Sequence, residues 1–289
     1  MLLKAGDIVV RKSYGGDIFF KIKEILTSEQ GEKEAILVGT DVRLMVDAPL
    51  DDLEKQDATS ILHYRHECIM TRATSLRQVF AQREQDREGR LLHRGRTEME
   101  NDFFEVPGRV LHLDGDEDYL EKCMGTYRQL NVPAFGFAIS EKEQPSRVVS
   151  LVKEYNPDIL VLTGHDAFKK GTKDFSIIEN YKHSQYFIEA VRKVRQFVPG
   201  RDDLVVFAGA CQSHYEGILA AGANFASSPE RVMIHAYDPV FVVERLAYTS
   251  INENVSIKDI IRTTITGAGG VGGIETRGRY RLGYPKSPY

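Results

Sequence analysis

From Gly108 onward, short runs of Val, Ile and Leu alternate with amphipathic stretches, and this alternation limits the folds open to the chain more than any other feature. RVLHLDG precedes EDYLEKCMGTYRQL, PAFGFAI precedes QPSRVVSLVKEY, DILVLTG precedes a helical stretch from about Tyr186 to Phe197, and LVVFAGA precedes HYEGILAAG. Apolar runs of that length, bounded by turn residues, read as strands buried on both faces. Strands separated by helices return in the same direction through right-handed crossovers. The expected architecture is therefore α/β, a parallel sheet flanked by helices.

Two of these strands, Asp158 to Leu162 and Leu204 to Phe207, run into small-residue turns that each present one reactive side chain, His165 in TGHDA and Cys211 in GACQS. Residues just past the carboxyl ends of parallel strands face the crevice where α/β folds bind ligands. A thiol beside an imidazole gives up its proton, and the thiolate attacks carbonyl carbons, so the pair points to acyl transfer. Gly164 and Gly209 allow tight turns, and the main-chain N–H groups around Gly164, Gly209 and Ala210 are candidate oxyanion donors. Taken singly, a buried Cys is an ordinary small core residue and a His satisfies a local hydrogen bond. Their matching positions give the pair its weight.

The N-terminal fifty residues have another style. Asp7 to Arg11, Ile18 to Ile25, Ala35 to Val38 and Val42 to Val46 read as short strands split by Gly15-Gly16, a Ser28-Glu29-Gln30-Gly31 turn and Gly39-Thr40, the pattern of a small SH3-like β-barrel. With few aromatic residues beyond Tyr14, Phe19 and Phe20, a docking or scaffold role is expected for it. A stretch rich in arginines from Arg65 to Arg96 follows, mixed with acidic and amide residues, and reads as a solvated helix or mobile connector offering many basic bonds to a protease. The division is 1–54 for the barrel, 55–104 for the connector and 105–289 for the α/β domain.

Composition excludes several classes. A net charge of −4 over 289 residues argues against wholesale nucleic-acid binding. Cys68, Cys123 and Cys211 are far apart and form no CxxC pair, so neither a disulfide framework nor a zinc site is expected, and a reducing compartment fits. MLLKAGDIVV meets charge too early for a signal peptide, and no apolar run is long enough to span a bilayer. GAGGVG, from Gly267 to Gly272, matches GxGxxG but follows the helical pattern SIKDIIRTTIT, whereas a dinucleotide fingerprint follows a strand; a flexible loop near the active rim is expected instead. The acids Asp114, Asp116, Glu117 and Asp118 invite a Mg²⁺ reading, but they stand where carboxylates favour a helix N-terminus. No metal or cofactor is expected. GACQS also resembles a nucleophile elbow, which would use a base downstream, His214 or His235; both stand closer in sequence than that order usually allows.

The segments VLHLDGDEDYLEKC, DILVLTGHDA, FAGACQSHYEGILAAGANFASSP and GGIETRG resemble those of the YabG family, sporulation-specific proteases of spore-forming Firmicutes. The resemblance implies a cysteine peptidase that processes spore coat and cortex-related proteins in the mother-cell cytoplasm at the forming coat, cleaving after basic residues, chiefly arginine, with autoprocessing. It places the catalytic histidine at His165 and the nucleophile at Cys211. More distantly, a His and then a Cys after successive strands resemble the caspase, legumain and clostripain group, which implies a caspase-like sheet; there a Gly usually follows the His, whereas here Gly164 precedes it and Asp166 follows. A specificity pocket for arginine needs a carboxylate, because a guanidinium stays charged and is costly to bury unpaired. Asp116, Asp166 and Glu275 are the candidates. The rival readings are a non-enzymatic coat scaffold and a Cys-dependent hydrolase or amidotransferase using a downstream His.

Overall fold

In the computed structural model, which describes residues 3–27, 33–94, 103–169 and 171–287, the alternating pattern of the first segment becomes a five-stranded antiparallel sheet. Its strands are β1 (Ile8–Arg11), β2 (Phe20–Thr27), β3 (Lys33–Gly39), β4 (Met45–Pro49) and β5 (Leu53–Lys55), in the order β4-β3-β2-β1-β5. Val9, Phe20, Ile22, Ala35, Leu37 and Ala48 point inward and are almost fully buried. The strand expected from Val42 starts only at Met45, since Val42 pairs with His235 instead. The expected turn at Ser28–Gly31 lies outside the described residues.

The Arg-rich stretch forms one helix, α1 (Ala58–Arg94). Its sparse apolar residues suffice because Val79 is buried and the arginines find partners: Arg83 donates to Glu244 and to the Leu130 carbonyl, and Arg72 to Gln129. Asp86 pairs in turn with Arg245. Arg96 lies outside the described residues.

The remaining elements are β6 (Phe104–Val106), β7 (Val110–Asp114), α2 (Glu117–Gln129), β8 (Ala134–Ala138), α3 (Gln144–Tyr155), β9 (Ile159–Thr163), α4 (Ser184–Phe197), β10 (Val205–Ala208), α5 (Tyr215–Ala220), β11 (Phe225–Ser227), α6 (Asp238–Tyr248), β12 (Asn254–Val255), α7 (Ile257–Thr263), β13 (Val271–Gly273), β14 (Thr276–Arg277) and β15 (Arg281–Gly283). The central sheet has the order β13-β11-β10-β9-β7-β8, with β8, β7, β9, β10 and β11 parallel and β13 antiparallel at one edge. Two small pairs, β12-β14 and β15-β6, complete the pairing.

Alternate residues of each strand feed two cores, as a sheet covered on both faces requires. Val110, Ile159, Val161, Val205 and Phe207 pack against α2, α6 and α7, while Leu111, Leu113, Leu160, Leu162 and Val206 pack against α3, α4 and α5. GAGGVG is not a loop: it passes through a 3₁₀ turn at Gly267–Gly269 into β13, and the Gly270 carbonyl accepts from Ser228 N–H. No described helix is long and apolar enough to cross a membrane.

Candidate active site

β9 and β10 pair in register, with Ala208 opposite Leu162. His165 follows Leu162 at the same interval at which Cys211 follows Ala208, so the two turns leave neighbouring strands, spaced about 4.8 Å apart, at the same rim. Gly209 makes the second turn possible. Its φ is +111°, and a Cβ there would stand 3.1 Å from Ile218 and 3.2 Å from Ser227 side-chain atoms.

Asp166 ties the two turns together. Its Oδ1 accepts from the Ala167 and His183 N–H groups at 2.9 and 2.8 Å, and its Oδ2 accepts from the hydroxyls of Ser184 and Ser213, the latter at 3.0 Å. Ser213 lies just beyond Cys211 and its Oγ accepts from the Ala210 N–H at 2.9 Å. Burial pushes the Asp166 carboxyl up to about 6, against these four donors. All of its positions are taken, so it has no capacity left for an arginine ligand.

His165 is nearly buried between two carboxylates. Glu141 Oε1 accepts from the His165 backbone N–H at 2.6 Å and lies 3.5 Å from Nδ1, while Asp116 Oδ2 lies 3.5 Å from Nε2. Nε2 has no hydrogen-bond partner among the described residues. Burial opposes the charge on Glu141, but His165 through its side chain and backbone, with His183 nearby, holds the carboxyl below its ordinary range. Asp116 also caps α2 by accepting from Tyr119 N–H at 3.1 Å, as the acidic run before that helix leads one to expect. Of the three candidate acids only Asp116 has a carboxylate set against the His165 ring. Glu275 is exposed at the other end of the sheet: its neighbours Ile274 and Thr276 bond Asn224 and Asp202, which precede β11 and β10.

Cys211 is fully buried, in one apolar cluster with Val9, Phe20, Leu37 and Leu44 of the N-terminal sheet and with Ile234. Its Sγ accepts from the Ile234 N–H at 3.2 Å and lies 3.8 Å from the Ile234 carbonyl; His165 is not among its hydrogen-bond partners. Desolvation pushes the thiol up to about 12, although the Ile234 N–H and the Arg43 guanidinium favour the thiolate. Tyr119, whose ring centre is 5.5 Å from that of His165, places its hydroxyl 2.5 and 2.6 Å from the Gly39 and Val42 carbonyls. The N-terminal sheet therefore covers the thiol.

The expected oxyanion donors are partly engaged elsewhere. The Gly209 N–H bonds the Leu162 carbonyl and the Ala210 N–H bonds Ser213, while the N–H groups of Gly164 and Cys211 have no acceptor among the described residues. The downstream histidines have structural work. His214 Nδ1 accepts from the Gly217 N–H at the start of α5 and Nε2 donates to the Ser176 carbonyl. His235 Nδ1 accepts from the Tyr237 N–H, and burial lowers its basicity against the pull of Asp238. No cluster suited to a metal ion occurs among the described residues.

Sequence reasoning missed Glu141 and Arg43, and it read Asp114 only as part of the acidic run before α2, not as the buried partner of Arg43. Asp114 ends β7 just as His165 and Cys211 follow β9 and β10, and that strand-end position was its signal. Arg43 is a charge within the apolar run VRLMV, a weaker sign.

A sequence model of the family described as YabG peptidase U57 matches residues 4–285. The sporulation-specific protease YabG of Bacillus subtilis (strain 168) is 41% identical over 288 residues, covering 99% of each chain. With the match running through both the N-terminal sheet and the His165 and Cys211 turns, the chain belongs to the YabG peptidase U57 family.

Proposed function

We propose that this chain is a cysteine endopeptidase that cleaves spore coat and cortex-related proteins after basic residues, chiefly arginine, during sporulation, through Cys211 and His165. One observation carries the reading: the hydrogen bond from Ser213 to Asp166, which joins the turn bearing Cys211 to the turn bearing His165 at the rim of adjacent parallel strands. A structural cysteine and a structural histidine need no such tie.

In the reaction, His165 Nε2 accepts the thiol proton and Cys211 Sγ forms a bond to the scissile carbonyl carbon. The N–H groups of Cys211 and Gly164, which have no acceptor among the described residues, receive the oxyanion. The C–N bond then breaks as the imidazolium returns its proton to the leaving amine, and water hydrolyses the thioester to release the acid and restore the thiol. Glu141 holds the ring from the Nδ1 side, the part a third residue plays in such a site.

The remaining assignments follow the same reading. Residues 1–54 are an SH3-like docking barrel, supported by the meander β1 to β4 with β5 returning beside β1. Residues 55–104 are the connector, and 105–289 are the peptidase domain with a caspase-like sheet. Autoprocessing falls between Arg65 and Arg96, and within α1, which runs to Arg94, it would require the helix to unwind, since a groove that pairs with substrate as a strand takes extended chain.

Cys211→Ala and His165→Ala are expected to abolish cleavage of an Arg-containing coat protein, with the folded state of each variant verified by its thermal melt. A purified parent that cleaves no faster than Cys211→Ala would leave the second reading, a non-enzymatic coat scaffold. That reading draws on one observation, the buried, protonated thiol.

A further inference from the structure

Arg43 is among the largest fully buried side chains of the described residues, and it belongs to the N-terminal sheet segment while its guanidinium lies inside the α/β domain. Nη1 donates to Asp114 Oδ2 at 2.6 Å, Nη2 and Nε donate to the Ala236 carbonyl at 3.1 and 3.3 Å, and Nη2 lies 3.2 Å from Cys123 Sγ. The Tyr119 ring centre is 5.2 Å from Cζ. Asp114 is itself fully buried and held by the Thr163 hydroxyl at 2.9 Å and the Asp116 N–H at 3.0 Å. This is a preformed pocket for one guanidinium: a carboxylate below, a carbonyl at the side and an aromatic ring alongside.

The backbone around Arg43 is held in an equally specific way. The Asp41 carbonyl accepts from the Ala236 N–H at 2.8 Å, the Arg43 N–H donates to the Ile234 carbonyl at 3.0 Å, and Val42 bridges His235 in antiparallel sense. Asp41–Val42–Arg43 is thus added as a strand to the edge at 234–236, the way many peptide-binding grooves take an extended ligand. Ile234 is also the residue whose N–H reaches Cys211 Sγ at 3.2 Å. A basic side chain in a carboxylate-floored pocket and a backbone paired beside the nucleophile are the two requirements for the residue that precedes a cut.

A fully buried ion pair gives little net stability over apolar residues of similar size, so stability alone does not account for an arginine sent from one sheet into another domain. Beyond Arg43 the chain turns sharply, with the Leu44 N–H donating to the Val42 carbonyl at 2.8 Å across a three-residue turn. Leu44 then enters the core of the N-terminal sheet instead of continuing as extended chain.

We propose that Asp41–Val42–Arg43 is an internal substrate mimic that fills the substrate groove, with strand 234–236 as the groove edge and Asp114 as the acid that receives the arginine before the cut. This rests on the peptidase reading above. The segment must leave before another chain enters, and Asp114, not Asp116, Asp166 or Glu275, is the specificity-determining acid.

The test uses the full chain and a fluorogenic peptide with one arginine before the reporter, alongside alkylation of Cys211 by iodoacetamide read by intact mass. Arg43→Gln is expected to raise kcat/KM and the alkylation rate by about tenfold or more, because an occupied site lowers apparent affinity by the fraction that is free. Adding Asp114→Asn to Arg43→Gln is expected to lower kcat/KM for the arginine peptide by about 100-fold, chiefly through KM, while alkylation stays fast. Should Arg43→Gln alone fail to fold, the double variant, which removes both buried charges together, is read by alkylation, and a rate about tenfold above the parent's is again expected. Folded variants that alkylate and cleave at the parent's rate overturn the mimic, while loss of cleavage in Cys211→Ala keeps the peptidase reading standing. Cleavage that survives in Cys211→Ala overturns both.

Discussion

Glu141 and Asp116 approach opposite nitrogens of His165, yet their surroundings divide their roles. Glu141 takes the His165 backbone N–H as well as facing Nδ1, so ring and main chain are fixed by one carboxylate. Asp116 spends one oxygen on the cap of α2, and its other oxygen faces an Nε2 that has no hydrogen-bond partner among the described residues. On the proposed mechanism, in which His165 is the base, a ring oriented from one nitrogen and open at the other is the arrangement proton transfer needs. Glu141→Gln keeps the shape and removes the charge that stabilises the imidazolium. We expect kcat to fall by roughly 10- to 1000-fold with KM nearly unchanged, and a change confined to KM would reassign Glu141 to substrate binding. Neither that residue nor the Arg43–Asp114 pair was legible in the sequence. Their partners lie far away along the chain, and a carboxylate in AISEKE looks like any other loop acid until β8 is set beside β7.

At the scale of elements the sequence was more readable. The parallel strands, the helices between them and the helix start after the acidic run all follow from local pattern, because a strand buried on two faces leaves an unbroken apolar run. Strands β9 and β10 lie within one residue of their expected limits. Two readings failed for tertiary reasons. Val42 leaves the expected strand because His235 offers it a second pairing edge, and GAGGVG joins the sheet because β11 would otherwise expose an edge. The turn after β10 is where element geometry bears most directly on the site. At Gly209 a side chain meets both a left-handed φ and close neighbours, so Gly209→Ala is expected to destabilise the fold by about 1–3 kcal/mol and to displace Cys211. A lowered thermal midpoint together with reduced cleavage is the expected outcome; an unchanged midpoint would mean that the turn relaxes freely.

For the whole molecule the decisive relation is between the N-terminal sheet and the thiol it covers. That sheet contributes to the apolar cluster around Cys211, and burial pushes the thiol up to about 12. At neutral pH the covered thiol is then almost wholly protonated. Tyr119, Arg43 and Asp238 are among the groups that interact with it electrostatically: Arg43 favours the thiolate, while Asp238 opposes it. The linkage has a definite sign. A thiol whose pKa is raised by burial binds its proton more tightly in the folded form, so its contribution to stability is complete below pH 9 and is lost as pH climbs from 9 toward 12. Alkylation of Cys211 in the parent is therefore expected to be slow at pH 7 and to rise steeply with pH, about tenfold per unit. In Arg43→Gln, where the sheet loses its anchor in the Asp114 pocket, the same curve is expected to shift toward lower pH and to level off near the range of an ordinary thiol, about 8.5. Rates followed by intact mass between pH 6 and 10 decide it, and coincident curves for the two proteins would mean that the sheet covers Cys211 without help from Arg43.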